Sequence, residues 1–278
     1  MLTLNTNYYA LVAQSGFKRA QADLGVAIER LSSGKRINSA KDDAAGMAIA
    51  NRMTANIRGM QQAARNTNDG ISMAQTAEGA ISEINNNIQR IRELAVRAAN
   101  GSYKDEDRAS IQKEIDQRLK EIDRIAEQTD FNGTKLLADG VQNIYIQTGA
   151  HDGQGIEIEF KAMSTSALGL EGFSVLTTAE QTATPNPLAT LDGALERVDG
   201  LRGHLGAIQN RFESVISTLD NSIVNLSAAR SRIEDTDYAV EISNMMQAQI
   251  RMQVASMVLA QANQMPQLVL QLLRDSLG

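Results

Sequence analysis

The sequence predicts a mainly α protein: an elongated antiparallel coiled-coil or helical bundle with a small β-hairpin insert, its discontinuous domains made from both chain ends. Three observations carry this. Two long segments keep an unbroken helical apolar period, residues 129–186 change to short alternating runs, and both ends are apolar. Between Ile242 and Leu273 the single formally charged side chain is Arg251.

The N-terminal segment, about 4–31, reads as a helix through Leu4, Tyr8, Leu11, Leu24, Ile28 and Leu31. "SSGKRINSAKDDAAG" (32–46) is polar with a glycine near each end, hence a loop. From about Ala45 to Ala99 a stripe runs through Met53, Ile57, Met60, Ala64, Thr67, Ile71 and Ala74, then Ile81, Ile84, Ile88, Ile91, Leu94 and Ala98. Steps of three and four mark a helix that faces another helix. A shorter helix fits 105–128, with Ile111, Ile115, Leu119, Ile122 and Ile125 inward and acidic residues in its first turn.

"NIYIQT" and "IEIEF" then alternate, placing Ile144, Ile146, Ile156, Ile158 and Phe160 on one side of a hairpin at about 140–161. Residues 174–187 read as an exposed connection. A second long helix is expected from Pro187 to Ile233, with Leu191, Val198, Leu205, Phe212 and Leu219 in its stripe. At 1.5 Å per residue it would span roughly 70 Å, which suits a rod. The last helix, about 237–273, has one stripe at Ile242, Met245, Met252, Ala255, Leu259, Ala262 and Val269 and a second face at Met246, Ile250, Val254 and Met257. A helix apolar on two faces needs two neighbours. The N-terminal helix can cover one, and other copies of the chain are the candidates for the rest. Pro266 is expected to kink or loosen the final turns.

Composition narrows the function. The formal charge is −6 with no long basic stripe, which argues against nucleic acid as main partner. Aromatic residues make up 4%, and there is no Trp, so packing falls to small and aliphatic side chains. There is no Cys, which excludes disulfides and thiolate metal sites. The first positive side chain is Lys18, so the N-terminus does not read as a Sec-type signal peptide. No run of 18 apolar residues proposes a membrane span.

Nothing reads as an active site. His151 and His204 lack ligand or nucleophile partners, and the expected reading is solvated histidine. "DEDR" (105–108) and "KDD" (41–43) read as a helix start and a loop, not as metal-binding carboxylates. No catalytic residue, cofactor or metal is expected. Asn-x-Ser/Thr matches at Asn100, Asn132 and Asn225 carry little weight. The methionines Met245, Met246, Met252 and Met257 suit a surface that tolerates repacking.

These segments resemble bacterial flagellin over essentially the whole chain. The specific stretches are "LSSGKRINSAKDDAAGMAIANRM" (31–53), "QRIRELAVRAANG" (89–101), "DFNGTKLL" (130–137), "SRIEDTDYAVEISNMMQAQI" (231–250) and "QANQMPQLVLQLL" (261–273). The resemblance implies a subunit of the external flagellar filament, transmitting torque for swimming. Residues 1–45 with 235–278 would form the inner terminal coiled coil, D0. Residues 46–234 would form D1, the long-helix rod with the hairpin, and no D2 or D3 insert is expected. Self-assembly is expected through Leu4, Tyr8, Leu11, Leu24, Ile28, Leu31, Ile242, Met245, Met246, Ile250, Met252, Val254, Leu259, Val269 and Leu273.

The implied partners are other copies of the chain, the cap and hook-associated junction proteins, and an export chaperone on the C-terminal region. Type III export with an uncleaved N-terminal signal, and no membrane insertion, complete that expectation. Recognition by the innate Toll-like receptor TLR5 is implied at the matching positions Gln89, Arg90, Leu94 and Glu114. Two other readings use the same helices. A hook-associated junction protein usually carries extra middle domains. A soluble coiled-coil regulator would not need apolar ends.

Overall fold

The computed structural model describes residues 6–176 and 183–277, with side chains through residue 265. The helices are α1 (Tyr8–Ser33), α2 (Ala44–Ala98), α3 (Asp105–Gln128), α4 (Thr165–Leu168), α5 (Pro187–Glu234) and α6 (Tyr238–Leu277). Four short strands lie between α3 and α4: β1 (Asp130–Phe131), β2 (Thr134–Lys135), β3 (Ile144–Gln147) and β4 (Gly155–Ile158). The fold is mainly α, as the periodicity predicts. The chain divides into two compact units, residues 1–55 with 225–278 and residues 56–224. The terminal unit thus claims more of α2 and α5 than the expected boundaries at 45/46 and 234/235. Within it Arg230 Nη1 donates to Thr54 Oγ1 at 3.3 Å.

Unit 56–224 is built on three helices. Arg92 pairs with Asp192, Asn85 with Asp199, and Glu78 with Gln209, so α2 and α5 run antiparallel. Arg90 pairs with Glu114 and Asn87 with Arg118, which sets α3 antiparallel to α2. The apolar stripes meet inside: Ile81, Ile84, Ile88 and Ile91 of α2 are fully buried, as are Ile115 and Ile122 of α3 and Leu191, Val198, Leu205 and Phe212 of α5. Thr67, in the same stripe, is buried because its hydroxyl donates to Ala63 O at 2.7 Å.

β3 and β4 pair antiparallel in the register Ile144↔Ile158, Tyr145↔Glu157, Ile146↔Ile156 and Gln147↔Gly155. That register puts the four isoleucines on one face, and Ile156 and Ile158 are buried in the helical core. Two glycines let the hairpin approach α2. A Cβ on Gly59 would stand 2.9 Å from Ala150 Cβ, and one on Gly70 would stand 3.0 Å from Phe212 Cε2 and 3.3 Å from Ile146 Cγ1. Two small elements go beyond the sequence reading. β1 and β2 form a two-residue-turn hairpin around Asn132 and Gly133, both at positive φ. α4 is a single turn capped by the Ser164 side chain and closed by Gly169 in the left-handed region.

In the terminal unit α1 and α6 pair antiparallel. Asn7 reaches Ala262 near the far end of α6, and Arg30 reaches Glu241 near its start. The seam is not made of the large apolar residues of α1. Ala13, Ala20 and Ala27, seven residues apart, are its buried positions, and Glu241, Ala248 and Ala262 are those of α6. Small side chains let two backbones come close, so the large residues are turned aside. Leu24 and Leu31 are half-buried, while Tyr8, Leu11 and Ile28 are exposed.

At Pro266, where a kink or loosening is expected, the helix continues to Leu277. A proline cannot donate to the carbonyl four residues back. That carbonyl belongs to Ala262, and it accepts from Asn7 Nδ2 at 2.7 Å. Asn7 Oδ1 simultaneously accepts from Ala10 N–H and caps α1. One side chain therefore starts the first helix and satisfies the carbonyl that the proline leaves free. Asn7→Ala should weaken the α1–α6 pair by about 1–2 kcal/mol, the sum expected for a lost cap and an orphaned carbonyl. Faster amide hydrogen exchange confined to both helix ends would verify it, and unchanged exchange would refute it.

Candidate assembly surface

The surface begins from a clasp between the two chain ends. α1 stops at Gly34, whose φ of 70° and N–H to Arg30 O make a left-handed cap. The Tyr238 hydroxyl would stand 2.9 Å from a Cβ there, so both φ and space select glycine. Gly34 O then accepts from Thr236 N–H, Arg36 N–H donates to Glu234 O, and Lys35 pairs with the Glu234 carboxylate. Ile37 is buried beneath this crossing.

The acidic side chains at 42 and 43 hold the loop. Asp42 Oδ2 accepts from the N–H groups of Asn38 and Ser39 and from the Ser39 hydroxyl. The backbone donors, Ser39 first, hold its carboxyl below the usual aspartate range. Asp43 Oδ1 accepts from Gly46 N–H at the start of α2. At the other acidic run, Asp107 Oδ2 accepts from Lys104 N–H at the head of α3. His151 and His204 are both exposed. Among the described residues no three acidic, histidine or cysteine side chains converge as metal ligands.

α6 rises from this clasp. Asp237 Oδ1 accepts from Ala239 and Val240 N–H and caps it. Glu241, one turn in, is buried with Arg30 3.8 Å away. Beyond that pair the helix separates into two faces. Met245, Met252, Ala255 and Leu259 are half-buried toward α1, and Ala248 and Ala262 are buried. On the other side Ile242, Met246, Ile250, Val254, Met257, Val258 and Met265 are exposed, Met257 to 65%. Ile242, expected on one stripe with Met245 and Met252, belongs instead to this outer face. α1 adds Tyr8, Tyr9, Leu11, Val12, Val26 and Ile28, with Tyr8 69% exposed. Rows of large exposed apolar side chains on paired helices mark an interaction site. Leu4, Val269 and Leu273 lie outside the described side chains.

The four receptor-type positions separate. Gln89 and Arg90 are exposed, and Arg90 donates to Glu93 Oε2 at 2.9 Å and to Glu114 Oε1 at 3.1 Å. Those two acceptors, Glu93 first, raise the guanidinium above its ordinary value. Leu94 is 2% exposed and belongs to the core of the unit. The four-residue step from Arg90 does not bring both to the surface, because Arg90 sits at the edge of the buried stripe and Leu94 within it.

Among the described residues no helix is long and apolar enough to cross a membrane. Residues 4–142 match the bacterial flagellin N-terminal helical region, and residues 188–273 match the bacterial flagellin C-terminal helical region. A flagellin of Xenorhabdus nematophila is 52% identical over 309 aligned residues, covering 98% of this chain and 99% of the relative. A flagellin of Serratia marcescens is 46% identical over 348, with the same coverage. A flagellin of Salmonella muenchen is 33% identical over 502, again with the same coverage. The Bacillus cereus flagellin crystal structure is 32% identical, aligns with 60% of this chain and 94% of its own, and gives a TM-score of 0.48. This chain belongs to the bacterial flagellin family.

Proposed function

We propose that the protein is the structural subunit of a flagellar filament, polymerising through its terminal unit and performing no chemistry. The observation that carries this is the outer face of α6, a row of large exposed apolar side chains from Ile242 to Met265. The drive is burial of that face and of the exposed residues of α1 against neighbouring copies, at roughly 25 cal/mol per Å² before ordering costs. Residues 1–45 with 235–278 act as the inner D0 layer and residues 46–234 as the D1 layer, with no D2 or D3. The Salmonella muenchen alignment, 502 positions against 278 residues here, supports a chain without the long central insert. The pathway that fits is export without a cleaved signal. A chaperone would cover the C-terminal face until then, and cap and hook-associated junction proteins would bound the filament.

Seeded extension tests the reading. Purified full-length protein should lengthen short filament seeds under the electron microscope, and a fragment of residues 56–224 should not. A full-length chain that adds nothing and stays a discrete oligomer would favour the junction or regulator readings.

Recognition by Toll-like receptor TLR5 is the second part of the proposal, resting on exposed Gln89 and Arg90 and on the pairing of Arg90 with half-buried Glu114. Arg90→Ala combined with Glu114→Ala should remove receptor signalling by the monomer without lowering its melting temperature by more than an exposed ion pair accounts for. Signalling equal to the parent would end that part of the reading. Leu94 serves this surface by holding α2 in the core, and a substitution there would confound folding with binding.

A further inference from the structure

Unit 56–224 carries two Asn–Gly pairs in turns, and the fold holds them differently. Asn100–Gly101 lies between α2 and α3, and Asn132–Gly133 is the turn of the β1–β2 hairpin. Both asparagines are exposed. At the second pair the asparagine is left-handed, with φ 50°, and Gly133 N–H donates to Asp130 Oδ2 at 3.0 Å. The pairings Phe131↔Thr134 and Asp130↔Lys135 clamp that turn. At the first pair the side-chain carbonyl of Asn100 accepts from Ser102 N–H at 3.2 Å, and its backbone carbonyl accepts from Tyr103 N–H at 3.3 Å. Gly101 N–H has no acceptor among the described residues, and nothing lies within 4 Å of where its Cβ would be.

We propose that Asn100 is a self-modifying site, converting without an enzyme to aspartate and isoaspartate. The Gly101 amide nitrogen gives its proton to a solvent base and attacks Asn100 Cγ. A new C–N bond closes a five-membered succinimide. The bond from Cγ to the side-chain nitrogen breaks, and that nitrogen leaves as ammonia after taking up a proton from water. Water then opens the ring at either carbonyl, giving aspartate or the backbone-shifted isoaspartate. No oxidant, reductant or cofactor enters the balance.

Three features of the turn favour the attack. Glycine presents no Cβ to the incoming carbon, and its nitrogen is not tied up as a donor. The Ser102 N–H already points at the oxygen on which negative charge develops. At Asn132 the glycine nitrogen must first surrender a bond to a charged carboxylate, and the paired strands resist the rotation needed. The product adds one negative charge just beyond the C-terminus of α2, where the helix macrodipole is already negative, and loosens the α2–α3 turn.

The test is peptide mapping by mass spectrometry of folded full-length protein held at mildly alkaline pH, with isoaspartate measured separately by enzymatic methylation. The same measurement in denaturant gives the unfolded rates of both pairs. In the folded chain Asn100 should convert about tenfold faster than Asn132, the ratio that about 1.4 kcal/mol of barrier produces. In denaturant the two rates should converge. Asn100→Gln should abolish the fast conversion, and Asp130→Asn should speed conversion at Asn132. A folded-state ratio no larger than the unfolded-state ratio, or faster conversion at Asn132, overturns the proposal.

Discussion

Replacing Ile250 and Val254 together by aspartate is expected to abolish filament extension while leaving the α1–α6 pair folded. The two residues stand one turn apart on the outer face of α6, 58% and 47% exposed. Neither fills the seam, which belongs to Ala248, Ala262 and the alanines of α1. In the monomer the change is therefore a surface substitution, worth about ±0.5 kcal/mol per site. Each is already about half covered, so in a filament each side chain would lose about 0.8–1.5 kcal/mol of burial. An unpaired carboxylate placed in an apolar contact adds a further penalty. Two sites at roughly 1.5–3 kcal/mol before that penalty weaken association by about one to two powers of ten, and the penalty adds to that. The measurement is the lowest protein concentration that lengthens seeds, set beside the helical circular-dichroism signal of the monomer. Unchanged extension would mean that this face is not the assembly surface, whatever the rest of the terminal unit does.

The same contrast between seam and outer face explains how far the sequence could be read. In unit 56–224 the period of large apolar residues locates the buried stripes well. Ile81 to Ile91 and Leu191 to Phe212 are both partnered within the chain and buried there. At the ends that rule fails, because large apolar residues are not all inward. The pairing surface of α1 is Ala13, Ala20 and Ala27, a seven-residue repeat of a side chain too small to stand out in a hydrophobic scan. Leu11 and Ile28, which dominate such a scan, face solvent.

Pro266 shows the same limit of a local reading. The propensity argument counts a missing donor, but the partner that satisfies Ala262 O comes from Asn7, 255 residues away, and no local reading can supply it. The signals for α4 and the β1–β2 hairpin were present in sequence. Ser164 and Gly169 bracket the one, and Asn132–Gly133 marks the other. Elements of two to four residues give no period to confirm them. Leu94 is buried as its place in the apolar stripe predicts, and the stripe boundary separates it from exposed Arg90, the neighbouring position that the family resemblance sets beside it.

Phe212→Ala should be among the most damaging single changes in unit 56–224. Its ring is fully buried where α5, α2 and β3 meet, against Gly70 and near Ile146. Truncating a buried phenylalanine costs about 3–5 kcal/mol, because the cavity only partly collapses. For a unit of this size that lowers the melting temperature by roughly 6–20 °C. Gly70→Ala alone sets two effects against each other. The helix gains about 1 kcal/mol in propensity, while the methyl presses on Phe212 and Ile146 and costs about 1–3 kcal/mol. Crowding should win, because the blocking atoms are a buried ring and a strand side chain rather than a mobile tip.

The two changes together should not add. With the ring gone, the new methyl on residue 70 enters the space that Phe212 vacated, the crowding term disappears and the propensity gain remains. The double variant should therefore be more stable than Phe212→Ala alone, with a coupling of about 1–3 kcal/mol in a denaturant-melt cycle. Simple additivity would show that Gly70 is not the seat of the ring. The hairpin would then be held to α2 chiefly by Asn66 Nδ2 to Gln147 O and the close approach at Gly59.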